Sequence, residues 1–196
     1  MCVCHVTENI GFIAGGFAGS GLSELVLTYD FSNSLSNPAG WQKLQSIPGG
    51  PRYMPACTNV QMADKSYIIL AGGITKLQMT SSNQIAPFAA APSTLAYDPL
   101  ERIWITLNPL PKGMYTGTMI MLGSQFYLFG ARDTDTTTAH VLELRVDYSV
   151  PNSTLWEDYH WKFVNNIEMV KDLQFFTEDN VIIPYKVCEH CLTPGY

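Results

Sequence analysis

The sequence predicts an all-β chain built from repeated four-stranded antiparallel units. Three observations lead there. First, apolar runs ending on glycine recur at near-constant spacing. "NIGFIAGG" ends on Gly15 and Gly16, "SYIILAGG" on Gly72 and Gly73, and "QFYLFGA" on Gly130 and Ala131; the first glycines lie 57 and then 58 residues apart. Second, "LVLTYD" at 25–30 matches "STLAYD" at 93–98, with "HVLELRVD" at 140–147 a weaker third copy, and a tryptophan follows each: Trp41, Trp104 and Trp161. Third, the intervening segments are short, rich in β-branched and aromatic residues and bounded by turn residues. No stretch keeps a convincing helical period over about a dozen residues.

Each unit supplies strands a, b, c and d. In the middle unit, a takes about 56–62, b 66–71, c 94–97 and d 103–107. In "GTMIMLGSQFYLFG" two apolar runs flank "LGSQ", a hairpin connection, and "CTNVQMADKSYIILAGG" does the same around 63–65. "EDYHWKFVNNIEMVKDLQFF" comes nearest to a helix and fits strand, turn and strand equally well. A small sheet cannot bury both faces alone, so such units stack as propeller blades. The predicted blades are about 1–47, 52–108 and 114–164, with a half blade at 172–187; together they form one domain, 1–187, followed by a tail at 188–196. Propellers close with about 4–8 blades. An open arc leaves blade faces and strand edges bare. The expected fold is therefore an incomplete propeller or one closed by another chain, with a distorted four-bladed ring as the alternative.

The order of double glycine, Tyr-Asp, Trp and a Pro-rich loop resembles the kelch repeat over roughly residues 10–163. The second copy is full: Gly72, Gly73, Tyr97, Asp98 and Trp104. The first has Gly15, Gly16, Tyr29, Asp30 and Trp41. The third keeps Gly130 and Trp161 but has Ala131 in place of the second glycine and lacks Tyr-Asp. The resemblance implies a β-propeller of the galactose oxidase and kelch-like superfamily, with six or seven blades in a full ring. It also implies a non-catalytic module for protein interaction or scaffolding. A truncated or degenerate galactose-oxidase-like enzyme is one alternative, but its copper site of tyrosines and histidines is not matched here. A carbohydrate-binding propeller is the other, and an exposed Trp41, Trp104 or Trp161 would favour it.

Physical reasons support the motif independently. Glycine reaches positive φ and lets another backbone approach closely. A tryptophan on strand d covers a neighbouring blade, removing about 150–250 Å² from water, worth a few kcal/mol at about 25 cal/mol/Å². Asp98, before Pro99, suits the turn between c and d.

Topology sorts the connections. The b–c segments, about 17–23, 74–92 and 132–139, share one end of the blades with the d–a loops, which carry Lys112 among other residues. Long segments on a rigid scaffold are where binding concentrates. The candidate contacts there are Arg52, Tyr53, Phe88, Tyr115 and Arg132. A protein partner is expected, and a homodimer or larger assembly would complete the ring.

Composition narrows the classes further. The 196 residues are 46% hydrophobic and 14% charged, with net charge −6 and no basic cluster, which argues against nucleic acid. "GGFAGSG" at 15–21 lacks both the dinucleotide spacing and a Walker lysine. No signal peptide or membrane span is read, and the long uncharged windows at 77–97 and 113–131 are broken by polar residues, Gly or Pro. The compartment stays open, with the cytoplasm favoured over secretion, although Asn152, Ser153 and Thr154 form a glycosylation sequon. The four histidines are scattered, no catalytic motif is found, and no cofactor is expected. Five cysteines do not suggest a complete disulfide framework. "CVCH" and "CEHC" leave two alternatives to unremarkable ends: a metal site from Cys2, Cys4, Cys188 and Cys191, or a disulfide at either end.

Overall fold

The computed structural model describes residues 1–19, 21–32, 40–62, 65–79, 85–122, 125–135, 139–145, 160–164, 173–178 and 181–186. These residues form an all-β fold. In the first unit, β1 (Cys2–Thr7) and β2 (Ile10–Ala14) make a hairpin. A short pair, β3 (Phe17–Ala18) and β4 (Gly21–Leu22), follows, then β5 (Val26–Asp30) and β6 (Trp41–Lys43), giving the sheet order β1-β2-β5-β6. The second unit repeats the plan with β7 (Ala56–Met62), β8 (Lys65–Ala71), the inserted ribbon β9 (Ile74–Met79) and β10 (Ile85–Ala90), β11 (Thr94–Asp98) and β12 (Ile103–Leu107). Its order is β12-β11-β8-β7. In the third, β13 (Met114–Tyr115) and β14 (Thr118–Leu122) both pair with β15 (Gln125–Asp133), followed by β16 (Ala139–Arg145) and β17 (His160–Phe163). A hairpin of β18 (Leu173–Glu178) and β19 (Val181–Lys186) comes last. Two four-stranded antiparallel blades, a third of five strands in which β13 and β14 share the place of strand a, and a further hairpin make an incomplete propeller, as the repeat spacing predicted.

One expectation needs correction. Segments 17–23 and 74–92 are not plain loops: Phe17 pairs with Leu22, and Ile74–Met79 pairs with Ile85–Ala90. Pro87 is tolerated because the register shifts between it and Ala89.

The blades stack through strict alternation. In the middle blade, Ile68, Leu70, Leu95 and Tyr97 face the first blade and join Phe12, Ala14 and Val26 in one core. The intervening Ile69, Ala71 and Ala96 face the third blade and join Met119, Phe126, Leu128, Leu142 and Leu144 in another. All five residues of β11 are buried, because both of its faces are covered. Strands β1, β7 and β14 touch their counterparts in adjacent blades, so strand a is the inner strand.

The tryptophans reach backwards. Trp161 donates from Nε1 to Thr94 Oγ1 in the middle blade, 3.0 Å, and Trp104 donates to the Gln45 carbonyl after the first, 3.2 Å. Trp41 has no preceding blade among the described residues; it is 43% exposed, and its ring packs at a tilt against Tyr29, centroids 4.7 Å apart. The Tyr-Asp pair has a divided role. Tyr97 fills the interblade core, and Asp98 accepts from the backbone N–H groups of Leu100 (2.9 Å) and Glu101 (3.1 Å), closing the c–d turn.

The double glycines join the blades. Gly15 and Gly72 sit at φ +69° and +66° and donate to the Leu25 and Ser93 carbonyls of their own blade. Gly16 and Gly73 donate to the carbonyls of Arg52 and Met114, both 2.7 Å, on the chain entering the next blade. A Cβ on Gly15 would strike the Arg52 carbonyl, and one on Gly72 the Met114 carbonyl. The motif therefore answers two needs, positive φ and room for a crossing backbone. Gly50 separates them: its φ is +92°, yet nothing lies within 4 Å of a Cβ there. Gly50→Ala should cost about 1 kcal/mol, from φ alone. Gly72→Ala should cost more than about 3 kcal/mol, because the crossing chain must also move. Urea denaturation of both variants checks this, and equal losses would contradict it.

Candidate functional site

The inserted hairpins and the connections between blades gather at one end of the blades. The seat is built from backbone. Tyr53, on the chain between β6 and β7, exchanges two hydrogen bonds with Ile74 at the start of β9, 2.9 and 2.7 Å. Its ring meets Phe17 of β3 edge-on at 6.1 Å. Between the β3–β4 pair and the β9–β10 ribbon lies an open cleft of ≈ 500 Å³, lined by Phe17, Leu22, Leu77 and Phe88, with Lys76 and Gln78 also bordering it. Phe17 is 52% exposed and Phe88 57%, large rings left in water at the rim of a concave apolar surface. Such a cleft suits an apolar side chain flanked by polar groups.

The sequence-predicted contacts fall into three places. Tyr53 and Phe88 belong to this cleft region. Tyr115 and Arg132 pair with each other through the backbone of β13 and β15, at the matching end of the third blade. Arg52 has a structural role. It is 3% exposed, and its Nη1 donates to the carbonyls of Gly49, Gly50 and Pro51 at 3.2, 3.2 and 3.0 Å. Its Nη2 donates to the Pro48 carbonyl (3.4 Å) and to Ser93 Oγ (3.0 Å), and burial pulls its pKa below the ordinary value. Arg52 thus clasps the Pro-Gly turn and ties the interblade chain to the middle blade.

A charged group lies beside Arg132. Asp133, 2% exposed, pairs with the Lys112 ammonium, meets His140 Nε2 at 3.1 Å and accepts from the Asp135 N–H at 2.9 Å. Asp133 and His140 escaped the sequence reading because they lie seven positions apart in the degenerate third repeat. The signal available was their position, at facing ends of b and c.

The cysteines also differ from expectation. Cys2 pairs with Cys57 in a disulfide linking inner strands β1 and β7, Cα atoms 5.7 Å apart, while Cys4 stays a free thiol. Neither a disulfide within the first four residues nor a metal set using Cys2 as a free thiolate fits this pairing. Cys188 and Cys191 lie outside the described residues.

Neither a protein-family model nor a curated protein matches the chain. Among solved structures, one titled "Structure of YjhT" is similar at 17% identity and TM-score 0.48, covering 68% of this chain and 34% of that one. This chain thus spans about a third of that protein's length, and a likeness this loose carries no argument.

Proposed function

We propose that the chain is a kelch-like propeller segment acting as a non-catalytic interaction module, which takes an apolar side chain of a partner protein into the cleft between β3–β4 and β9–β10. The observation that carries this reading is the pair of exposed rings, Phe17 and Phe88, on a concave rim held by backbone hydrogen bonds from Tyr53. A rigid seat loses little entropy on binding, which favours recognition by a few buried anchors. The exposure of Trp41 lends the carbohydrate reading no support, since no neighbouring blade covers that flank among the described residues. Peptides selected from a random display library on the folded protein should carry an aromatic or branched aliphatic anchor. Phe88→Asp or Phe17→Asp should weaken them about 10-fold or more, while Phe31→Asp, on the opposite flank of the first blade, should leave them unchanged. Equal binding to all three variants would overturn the reading.

We further propose that the arc is completed by other blades, supplied by a second copy or by another polypeptide. The support is the flank of the first blade that faces away from the second: Val3 is 61% exposed, Phe31 50% and Trp41 43%. Apolar surface of that kind invites a partner. Light scattering on the purified chain should return a dimer or larger species. A stable, soluble monomer would contradict closure by a second copy.

A further inference from the structure

The three cysteines among the described residues converge between the first two blades. Alternation along β1 turns Cys2 and Cys4 to the face that meets the middle blade, and Cys57 on β7 faces them. Their sulfur atoms all lie within 4.8 Å of one another. Cys2 is 1% exposed, and Cys4 and Cys57 pack on the core that holds Phe12, Ile68 and Leu70. The disulfide uses two of these sulfurs and leaves the third beside them with no covalent role. Nearby, Asn59 Nδ2 on β7 donates to the His5 carbonyl on β1, 2.8 Å, a second link between the two inner strands that does not depend on the disulfide.

We propose that reduction of the Cys2–Cys57 disulfide converts this cluster into a three-thiolate site for a thiophilic d¹⁰ metal ion, zinc(II) in the first instance. Blades one and two are then bridged either by a sulfur–sulfur bond or by a sulfur–metal–sulfur link. Soft thiolates select zinc or copper(I) over magnesium or calcium. Three protein ligands leave a fourth tetrahedral position open.

The conversion balances. A dithiol reductant attacks one sulfur of the disulfide through a thiolate, and the other cysteine leaves as a thiolate. The second thiol of the reductant then closes its own cyclic disulfide, so two electrons pass to the protein, which ends with two more thiols. Zinc(II) displaces three protons, one each from Cys2, Cys4 and Cys57. Burial pushes the Cys4 thiol up to about 12, which disfavours a bare thiolate, and a bound dication offsets that penalty. Affinity therefore rises with pH as proton competition falls.

The test uses the full chain carrying Cys188→Ser and Cys191→Ser, which removes the tail thiols as competing ligands. The protein is reduced with a dithiol, freed of it anaerobically and titrated with zinc(II) against a chromophoric chelator, with far-ultraviolet circular dichroism recorded throughout. The proposal expects one equivalent bound by the reduced protein and none by the oxidised protein, with the β spectrum retained. Adding Cys4→Ser should leave the disulfide able to form, checked by mass, yet weaken zinc binding by more than about 100-fold, since even partners outside the ligand shell are worth 10–100-fold. Three results would each overturn it: no uptake by the reduced protein, undiminished affinity in Cys4→Ser, or loss of the β spectrum on reduction.

Discussion

One glycine at the end of strand b, in each of the first two blades, holds this molecule in register. The N–H of Gly73 reaches forward to the Met114 carbonyl, 2.7 Å, while its own carbonyl accepts from Ala91 at the end of the β9–β10 ribbon, 2.9 Å. Gly16 repeats the arrangement one blade earlier, donating to Arg52 at 2.7 Å and accepting from Ser23 at 3.0 Å. A single residue thus clamps the chain entering the next blade and seats its own inserted hairpin. Both glycines hold a positive φ that favours a residue without Cβ, and the glycine before each, Gly15 or Gly72, leaves the room through which the next chain crosses. The position of the cleft follows directly, because both of its walls hang from these two glycines.

Packing does the rest by alternation. The central strands of the middle blade, β8 and β11, are covered on both faces and read as nearly continuous apolar runs, because odd and even positions feed different cores. Tryptophan on strand d adds a polar latch to the preceding blade, and each latch ends on an oxygen of that blade or of the turn beyond it. Where no blade precedes among the described residues, the same residue type is left half in water. Trp41 thus marks the open flank of the arc, and its exposure follows from architecture and needs no separate ligand.

Much of this was legible in the sequence for a simple reason: the glycine pairs, Tyr-Asp and Trp each answer a steric or hydrogen-bonding need that few residue types can meet. Their spacing therefore exposed the blades and the order of strands a to d. Other features were not legible. The β9–β10 ribbon mixes Thr, Lys, Gln and Pro, and its pairing partner lies within the same insertion, so no blade periodicity reveals it. Arg52 read as a surface contact because charge is normally exposed; its burial depends on a turn whose carbonyls converge on one guanidinium. The disulfide was missed because the cysteines were counted by their odd number. Their register carried the signal: Cys2 lies opposite Ala14 and Cys57 opposite Leu70, one place apart on consecutive inner strands, so alternation turns the two side chains toward each other across the blades.

The apolar cleft, the interblade clasp of Arg52 and the cysteine cluster all presuppose that the glycine clamps hold as firmly as the blade cores. Native-state amide hydrogen exchange measures this directly, because strand ends normally open by local fraying while core strands open only with global unfolding. The account predicts that the amides of Gly16 and Gly73 exchange in the slowest class, together with those of Ile69 and Leu70 in β8. Fast exchange at the two glycines, with the central strand amides still protected, would contradict it.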